Sequence, residues 1–444
     1  MSSSDLGEEQ QHAMDLLKSG KNVFLTGPGG TGKSYFIEQV RRQLGADGKK
    51  IGVTALTGCA AILLGHGAKT LHSWAGIGLG KGTLSELIKG VRSNRRSASN
   101  WMTTDLLIID EVSMMPAELF DKLNDIAKVV RKCPGKPFGS LQVLLVGDFY
   151  QLPPIADGPE DGKFAFESAA WSTVVHETVE LRKIHRQSEE TFRDMLGRVR
   201  TGMACAEDIA LLRSRLGLDW QNLEIRPTLL FSRRSMVDKI NSVNLSKLEG
   251  EIMTWKAKTL FTGGGGGGGS ASSTTGGQTP PPKEELDRAI TVFDRDGPYD
   301  ETLQLKLRAQ VMLTVNLDLD RGLVNGSRGV IIGFDTRGAE PLPIVLFKNG
   351  LKETVGRHSW YLDDFQQVVR SQIPLRLAWA GTIHKAQGAT LDCALIDIGK
   401  STFEYGQAYV ALSRVKSIDS LYVYDFAETS IRAHPRVKEF YAGI

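Results

Sequence analysis

Short apolar runs, each followed by a helical pattern, recur from the start of the chain. Asn22–Thr26 (NVFLT), Ile51–Ala55 (IGVTA), Leu106–Asp110 (LLIID) and Leu141–Gly147 (LQVLLVG) carry little polar alternation. That pattern predicts strands buried on both faces, as in the parallel sheet of an α/β domain. Each run ends in a polar or glycine-rich stretch, and open parallel sheets place their sites at strand carboxyl ends. A second series begins at Pro227–Ser232 (PTLLFS) and resumes with Ala394–Ile398 (ALIDI) and Leu421–Phe426 (LYVYDF), which predicts a second α/β lobe. From Leu313 to Val369 the texture alternates instead. Gly329–Phe334 and Pro343–Phe347, set between Gly, Asn and Asp turns, predict a small β-rich insertion. Residues 263–282, seven glycines followed by SASSTTGGQTPPP, cannot bury enough apolar area to offset the entropy of ordering and read as a flexible linker.

Length and composition narrow the picture only a little. At 444 residues the chain suits two or three domains. Hydrophobic residues make up 41% and charged residues 24%, ample for buried cores. Lys plus Arg number 54 against 51 Asp plus Glu, a formal charge of +3. A basic groove can hide in such a total, so any nucleic-acid reading must come from motifs. Cys59, Cys133, Cys205 and Cys393 lie far apart with no C-x-x-C pair, which argues against a zinc site or a disulfide framework and suggests a reducing compartment. There is no apolar run near 18 residues and no signal-peptide or Arg-rich transit pattern at MSSSDLGEEQ, so no membrane partner is expected. A longer parent protein trimmed to its core would read the same.

The chemistry begins at Gly27-Pro28-Gly29-Gly30-Thr31-Gly32-Lys33-Ser34, which fits G-x-x-x-x-G-K-[ST]. It follows the strand NVFLT and precedes the helical pattern YFIEQVRRQL, the context that makes this motif a phosphate loop. The glycines let backbone N–H groups approach phosphate oxygens, aided by the helix N-terminus. Lys33 would neutralise β- and γ-phosphate charge, and Ser34 would ligate Mg²⁺. Asp110 and Glu111 end the buried run LLIIDE. A carboxylate there holds Mg²⁺ in P-loop ATPases, and an adjacent Glu can polarise the attacking water. Gln151, in GDFYQLPP after a third strand end, could sense the γ-phosphate or that water. Arg186 in LRKIHRQ and Arg414 in QAYVALSR are candidates for transition-state charge, Arg414 supplied from the second lobe.

The order of these pieces resembles superfamily-one helicases, and closely the petite integration frequency family of 5′-to-3′ DNA helicases, over almost the whole chain apart from the Gly-rich linker. LGEEQ looks like the family's adenine-reading motif, with Gln10 as the reader. VTALTGCAA (53–61) and TLHSWAGIG (70–78) resemble its strand-contacting motifs. LLIIDEVSMM, GDFYQLPP and LRKIHRQ complete the first lobe. AQVMLTVNLD…GLVNGSRGVIIGF (309–334) is similar to the start of the family's small β-barrel, and WAGTIHKAQGATL (379–391) and FEYGQAYVALSR (403–414) resemble its last two motifs. Three features depart from the family pattern. Pro28-Gly29 stands where many members have a small residue or alanine, His185 replaces the usual aromatic before Arg186, and a long linker replaces a shorter connection.

The resemblance implies two RecA-like P-loop lobes with parallel sheets: residues 1–180, and residues 181–312 with 376–444. A β-barrel-like insertion at 313–375 and a short wedge insertion near 80–101, carrying Arg92, Arg95 and Arg96, would complete the fold. It implies ATP and Mg²⁺ as cofactors, with Gly388 beside the nucleotide. It assigns single-stranded DNA contacts to Thr57, His72 and Ser73 on the first lobe and to Thr382, His384 and Lys385 on the second, with Gln407, Tyr409 and Lys416 adding to them. Such residue types suit phosphate and sugar contacts that position without reading sequence. The expected partners are single-stranded, forked and G-quadruplex DNA and RNA–DNA hybrids. A monomer in solution and work in DNA repair, recombination and telomere maintenance are expected with them, in nucleus or mitochondrion if the source is eukaryotic and in cytoplasm otherwise. Two rivals stay open: a RecD-type helicase subunit, and a P-loop ATPase switch that separates no strands.

Overall fold

The computed structural model describes residues 6–65, 67–78, 80–154, 162–223, 226–261, 283–297, 299–318, 321–361 and 368–444. It comprises two compact units, Met1–Ile240 with Ala380–Ile444, and Asn241–Trp379. The linker at 263–282 and His66 lie outside the described residues, as does the side chain of Lys385.

The first unit holds both parallel sheets. The larger contains β1 (Val23–Thr26), β2 (Ile51–Ala55), β3 (Lys69–Thr70), β4 (Leu106–Asp110), β5 (Gln142–Val146) and β6 (Glu177–Glu180) in the order β3-β2-β4-β5-β1-β6. Every pairing is parallel. The unbroken apolar runs have a direct cause in the layering. Phe24, Leu107, Ile109, Val143 and Leu145 face one hydrophobic cluster, while Val23, Leu25, Leu106, Ile108, Leu144 and Val146 face another. Side chains alternate across a strand, so a strand covered on both faces needs apolar residues at every position. Helices α1 (Glu8–Lys18) and α2 (Lys33–Ala46) supply part of the second cover, through Ala13, Met14, Leu17, Phe36, Ile37 and Val40.

The smaller sheet places β7 (Thr228–Phe231) between Ala380–Thr382 and Ala394–Ile398, with Leu421–Phe426 outermost, again all parallel. The chain thus leaves this sheet after β7 and returns to it at Ala380. The helix Pro435–Ala442 comes from this later part of the chain yet packs on the larger sheet. Val437 joins the cluster around Phe24 and Phe149, and the Phe440 ring lies 4.3 Å from that of Phe166.

The segment expected as a wedge is a pair of helices, Leu84–Ser93 and Arg95–Thr103. Thr83 and Glu86 form a capping box on the first, and the Asn94 side chain accepts from Arg96 and Ser97 N–H on the second, each satisfying donors that a helix start leaves open. Leu87, Val91 and Trp101 anchor the pair in the core, while Arg92 and Arg95 are exposed.

The second unit is antiparallel. A five-stranded sheet joins Lys352–Thr354, Leu342–Phe347, Arg328–Asp335, Gln310–Leu313 and Leu375–Leu377, in that order. His358–Tyr361, Val368–Gln372 and Lys258–Phe261 form a second sheet, and Thr302–Leu305 pairs with Met253–Lys256. The β-rich part is therefore wider than the expected 313–375. Strands at 253–261 and 302–305, expected in the second lobe, hydrogen-bond inside this unit instead. Trp255, Leu303 and Leu305 share its core with Val311, Ile331 and Val345. Among the described residues, no helix is long and apolar enough to cross a membrane.

Candidate nucleotide site and strand-facing residues

β1 runs straight into the loop 27–34, and α2 begins at Lys33. Gly27, Gly30 and Gly32 adopt φ values of 145°, 89° and 87°, a region that disfavours L side chains. Space forbids a side chain as well. A Cβ on Gly30 would lie 2.5 Å from the Cβ of Arg186, and one on Gly27 would lie 2.4 Å from the carbonyl oxygen of Leu181. Thr31 is buried and its hydroxyl donates to Pro28 O at 2.9 Å, while Ser34 is exposed at the helix start. Lys33 Nζ donates to Gly27 O at 2.6 Å and to Pro28 O at 2.9 Å. Burial lowers its pKa, opposed by Asp148, Glu111 and Asp110. Gln10 reaches the loop from α1, its Nε2 donating to Gly32 O at 3.4 Å.

Asp110 closes β4 and is buried. Desolvation and the neighbouring Glu111 push its carboxyl up to about 7, and a cation placed beside it would favour the ionised form. Glu111 sits in the left-handed region at φ 56° and receives a hydrogen bond from Gln387 Nε2 at 2.9 Å. Gly388 follows directly, with φ 78°; a Cβ there would come within 3.8 Å of Glu111 Oε1. The sequence-predicted Gly388 is thus beside the carboxylate pair.

Both candidate arginines converge on the loop. Arg186 is half-buried, and its guanidinium donates to Ser413 O at 3.0 Å. Arg414 is 1% exposed. It donates to Val410 O at 2.7 Å, to Ala386 O and Ala389 O at 3.4 and 3.3 Å, and to Ser413 Oγ at 2.7 Å. Burial and Arg186 lower its pKa to about 9. Arg414 approaches Gly29, Arg186 packs on Gly30, and each lies close enough to perturb the other, an arrangement that favours an anion. Gln187, beside Arg186, ties the same turn with 2.8 Å to Val415 O.

Sequence reasoning missed the support beneath the GDFYQ loop. Asp148 is completely buried and takes a bidentate bond from Arg200, at 3.0 and 2.9 Å. Burial opposes the charge on Arg200, but Asp148 outweighs it and raises the pKa further. The guanidinium lies 4.7 Å from the Tyr150 ring, which stacks on Tyr441 at 4.8 Å. The Tyr441 hydroxyl pairs with Thr26 Oγ1 at 2.6 Å and accepts from Phe149 N–H at 3.2 Å. Gln151 is buried on this loop, its N–H donating to Asp148 O at 2.9 Å. The missed signal was Arg200 itself, a charge on a helix face otherwise filled by Phe192, Met195, Leu196 and Val199.

The residues assigned to a DNA strand divide into two groups. Thr57 follows β2 and His72 and Ser73 follow β3, while Thr382 ends its strand and His384 comes just after it. All five are partly accessible at carboxyl ends of parallel strands. Thr57 Oγ1 accepts from Ala60 N–H and starts a helix, and Ser73 N–H donates to Thr70 Oγ1. Burial lowers the pKa of His72 and of His384, favouring neutral imidazole. Lys416 is exposed. Gln407 and Tyr409 correct the expectation. The helix Gln407–Leu412 is buried on every side; Gln407 is 0% exposed and Tyr409 2%. Tyr409 faces the phosphate loop, where its hydroxyl accepts from Gly29 N–H at 2.8 Å.

A phosphate loop on one parallel sheet, approached by arginines and a glutamine carried partly by a second, defines a P-loop NTPase core of two RecA-like lobes. Comparison with known proteins narrows the class. Residues 5–208 match the model of the PIF1-like helicase family, and 293–334 match that of the DNA helicase Pif1 2B domain. The chain belongs to the PIF1-like helicase family. It is 34% identical to the Pif1 helicase of Candida albicans, with each chain covered in full and a TM-score of 0.78. Pif1 of Bacteroides sp in complex with ADP-AlF4 is 27% identical, with 99% of this chain and 97% of that one covered and a TM-score of 0.77. The ATP-dependent DNA helicase PIF1 of Homo sapiens is 38% identical over 451 residues, which span 99% of this chain and 64% of that protein.

Proposed function

We propose that this chain is an ATP-dependent DNA helicase motor. The observation that carries the reading is the convergence on one phosphate loop of Arg186, Arg414 and the Gln387–Glu111 pair, parts that come from both sheets. Charge developing on a transferring phosphoryl group is stabilised by such preorganised donors. In this reading Glu111 orients the attacking water and Lys33 neutralises the phosphates. The residues present also fit Mg²⁺, which keeps several waters and takes one or two carboxylates plus phosphate oxygens. Ser34 and Asp110 would hold it, and it would supply charge neutralisation and geometry for the phosphates.

The same reading assigns strand handling to residues at strand ends. Thr57, His72 and Ser73 on one sheet and Thr382 and His384 on the other sit where a single strand crossing both would be gripped alternately as the cleft closes and opens. Lys385 and Lys416 belong to the same reading by sequence position. The helical pair at 84–103 would split the duplex, its exposed arginines meeting the fork. Support comes from relatives: a Bacteroides Pif1 structure is bound to single-stranded DNA, and a further Pif1 structure concerns unwinding at forked double-stranded DNA by two coordinating Pif1 helicases. The finer reading is 5′-to-3′ movement by a chain that is monomeric away from DNA. It would act on forks, RNA–DNA hybrids and G-quadruplexes, in repair, recombination and telomere maintenance, in nucleus or mitochondrion of a eukaryote or in the cytoplasm of another source.

Partial duplexes with only a 5′ or only a 3′ tail test the reading, with ATP turnover measured with and without single-stranded DNA. Strand-stimulated hydrolysis and preferential unwinding of the 5′-tailed substrate are expected, both lost in Lys33→Ala while the circular dichroism spectrum is kept. Hydrolysis indifferent to DNA would favour a nucleotide switch, and preference for the 3′ tail would reverse the direction.

A further inference from the structure

Tyr409 was expected on the DNA side, yet its hydroxyl accepts the Gly29 N–H at 2.8 Å. Gly29 is the third residue of the phosphate loop, and its amide belongs to the set that binds anions. Three groups from the segment 409–414 meet there. The Tyr409 hydroxyl, Ser413 Oγ and an Arg414 terminal nitrogen each lie 3.5 Å from where a Cβ on Gly29 would stand. A phenol has one hydrogen to donate and lone pairs to accept. With the Gly29 N–H on a lone pair, the Tyr409 hydrogen stays available, and phosphate oxygens are acceptors only. Burial raises the pKa of Tyr409, so the group keeps that hydrogen at working pH.

Two features point to which phosphate it meets. Tyr409 opens the same short segment as Arg414, which follows the helix Gln407–Leu412, and a terminal guanidinium nitrogen of Arg414 also approaches Gly29. Arg186 joins them, held to Ser413 O at 3.0 Å. If the loop takes ATP, as proposed above and as this inference requires, the groups gathered at Gly29 face the terminal phosphoryl. By the family resemblance the adenine end would lie with Gln10, which donates to Gly32 O.

We propose that Tyr409 is a specificity-determining residue of the nucleotide site. Its hydroxyl relays the Gly29 amide to the terminal phosphate and favours the triphosphate over the diphosphate. A hydrogen bond to a charged oxygen is worth more than a neutral one, which sets the size of the effect. Tyr409→Phe keeps the ring and its packing and removes only the relay.

Equilibrium binding of a non-hydrolysable ATP analogue and of ADP, each with Mg²⁺, is measured on wild type, Tyr409→Phe and Lys33→Ala. In Tyr409→Phe the analogue is expected to weaken about tenfold while ADP changes less than about twofold, with the melting temperature held. An equal loss for both ligands would reduce Tyr409 to a prop for the loop, and no loss would remove it from the site; either outcome overturns the proposal. Should Lys33→Ala bind both ligands as wild type does, the nucleotide reading itself fails. Normal Lys33 dependence with an unchanged Tyr409→Phe ratio sinks the tyrosine alone.

Discussion

Replacing Arg200 by Met probes the support under the nucleotide site. Asp148 is 0% exposed and its carboxylate is held by two guanidinium bonds, at 3.0 and 2.9 Å. Among the described residues, the Tyr150 N–H is its one further donor, at 3.2 Å. Methionine fills much of the arginine stem but leaves the charge uncompensated. Breaking one side of a buried ion pair costs about 3–5 kcal/mol, a large share of the roughly 5–15 kcal/mol that holds a typical protein folded. Hydrogen exchange of peptides covering β5 and residues 147–152, read across a urea series, reports this unit apart from the other. The double variant Asp148→Asn with Arg200→Met removes both charges and is expected to recover at least half of the loss. A single-variant cost below about 1 kcal/mol, or a double variant worse than the single, would refute the assignment of the pair as a buried strut.

Other substitutions read the chemistry directly. Arg414→Lys keeps the charge but loses the planar fork that reaches four acceptors. Turnover is expected to fall at least about a hundredfold with ATP affinity within a few-fold, checked by steady-state kinetics beside equilibrium binding. Burial and Glu111 push the Asp110 carboxyl up to about 7, well above the usual carboxylate range. Its contribution to stability is therefore complete below about pH 4 and lost as pH rises through about 7. Asp110→Asn is expected to flatten that pH dependence in urea unfolding without Mg²⁺ and to abolish hydrolysis.

The central strands of both parallel sheets were legible because burial on two faces writes itself into every position, as in LLIID and ALIDI; the edge strands Lys69–Thr70, Glu177–Glu180 and Ala380–Thr382 are short and partly exposed, and they escaped. The phosphate loop was legible because a local run of glycines, Lys and Ser must be contiguous to cradle a phosphate. What else escaped was built from distant partners. Asp148 and Arg200 sit 52 residues apart, and Tyr441 meets Thr26 across 415; no local period marks such meetings. Met253–Lys256 and Lys258–Phe261 alternate only weakly and read as part of the second lobe, though their hydrogen-bond partners lie in the β-rich unit. Tyr409 was misplaced for a different reason. A motif gives a residue a neighbourhood but no direction, and the helix Gln407–Leu412 is buried all round, so its pattern names no face.

The bond between Tyr441 and Thr26 sets a clock on synthesis. Thr26 is the last residue before the phosphate loop, yet its hydroxyl partner leaves the ribosome 415 residues later. At roughly 5–20 residues per second, that delay is on the order of half a minute. Throughout it, Phe24 and Phe149 lack the Phe440 ring that later covers them, an apolar patch that a chaperone could hold. The seating of Tyr441 is thus a late assembly step, and the loop's supporting strand reaches its final setting only after both sheets have been made.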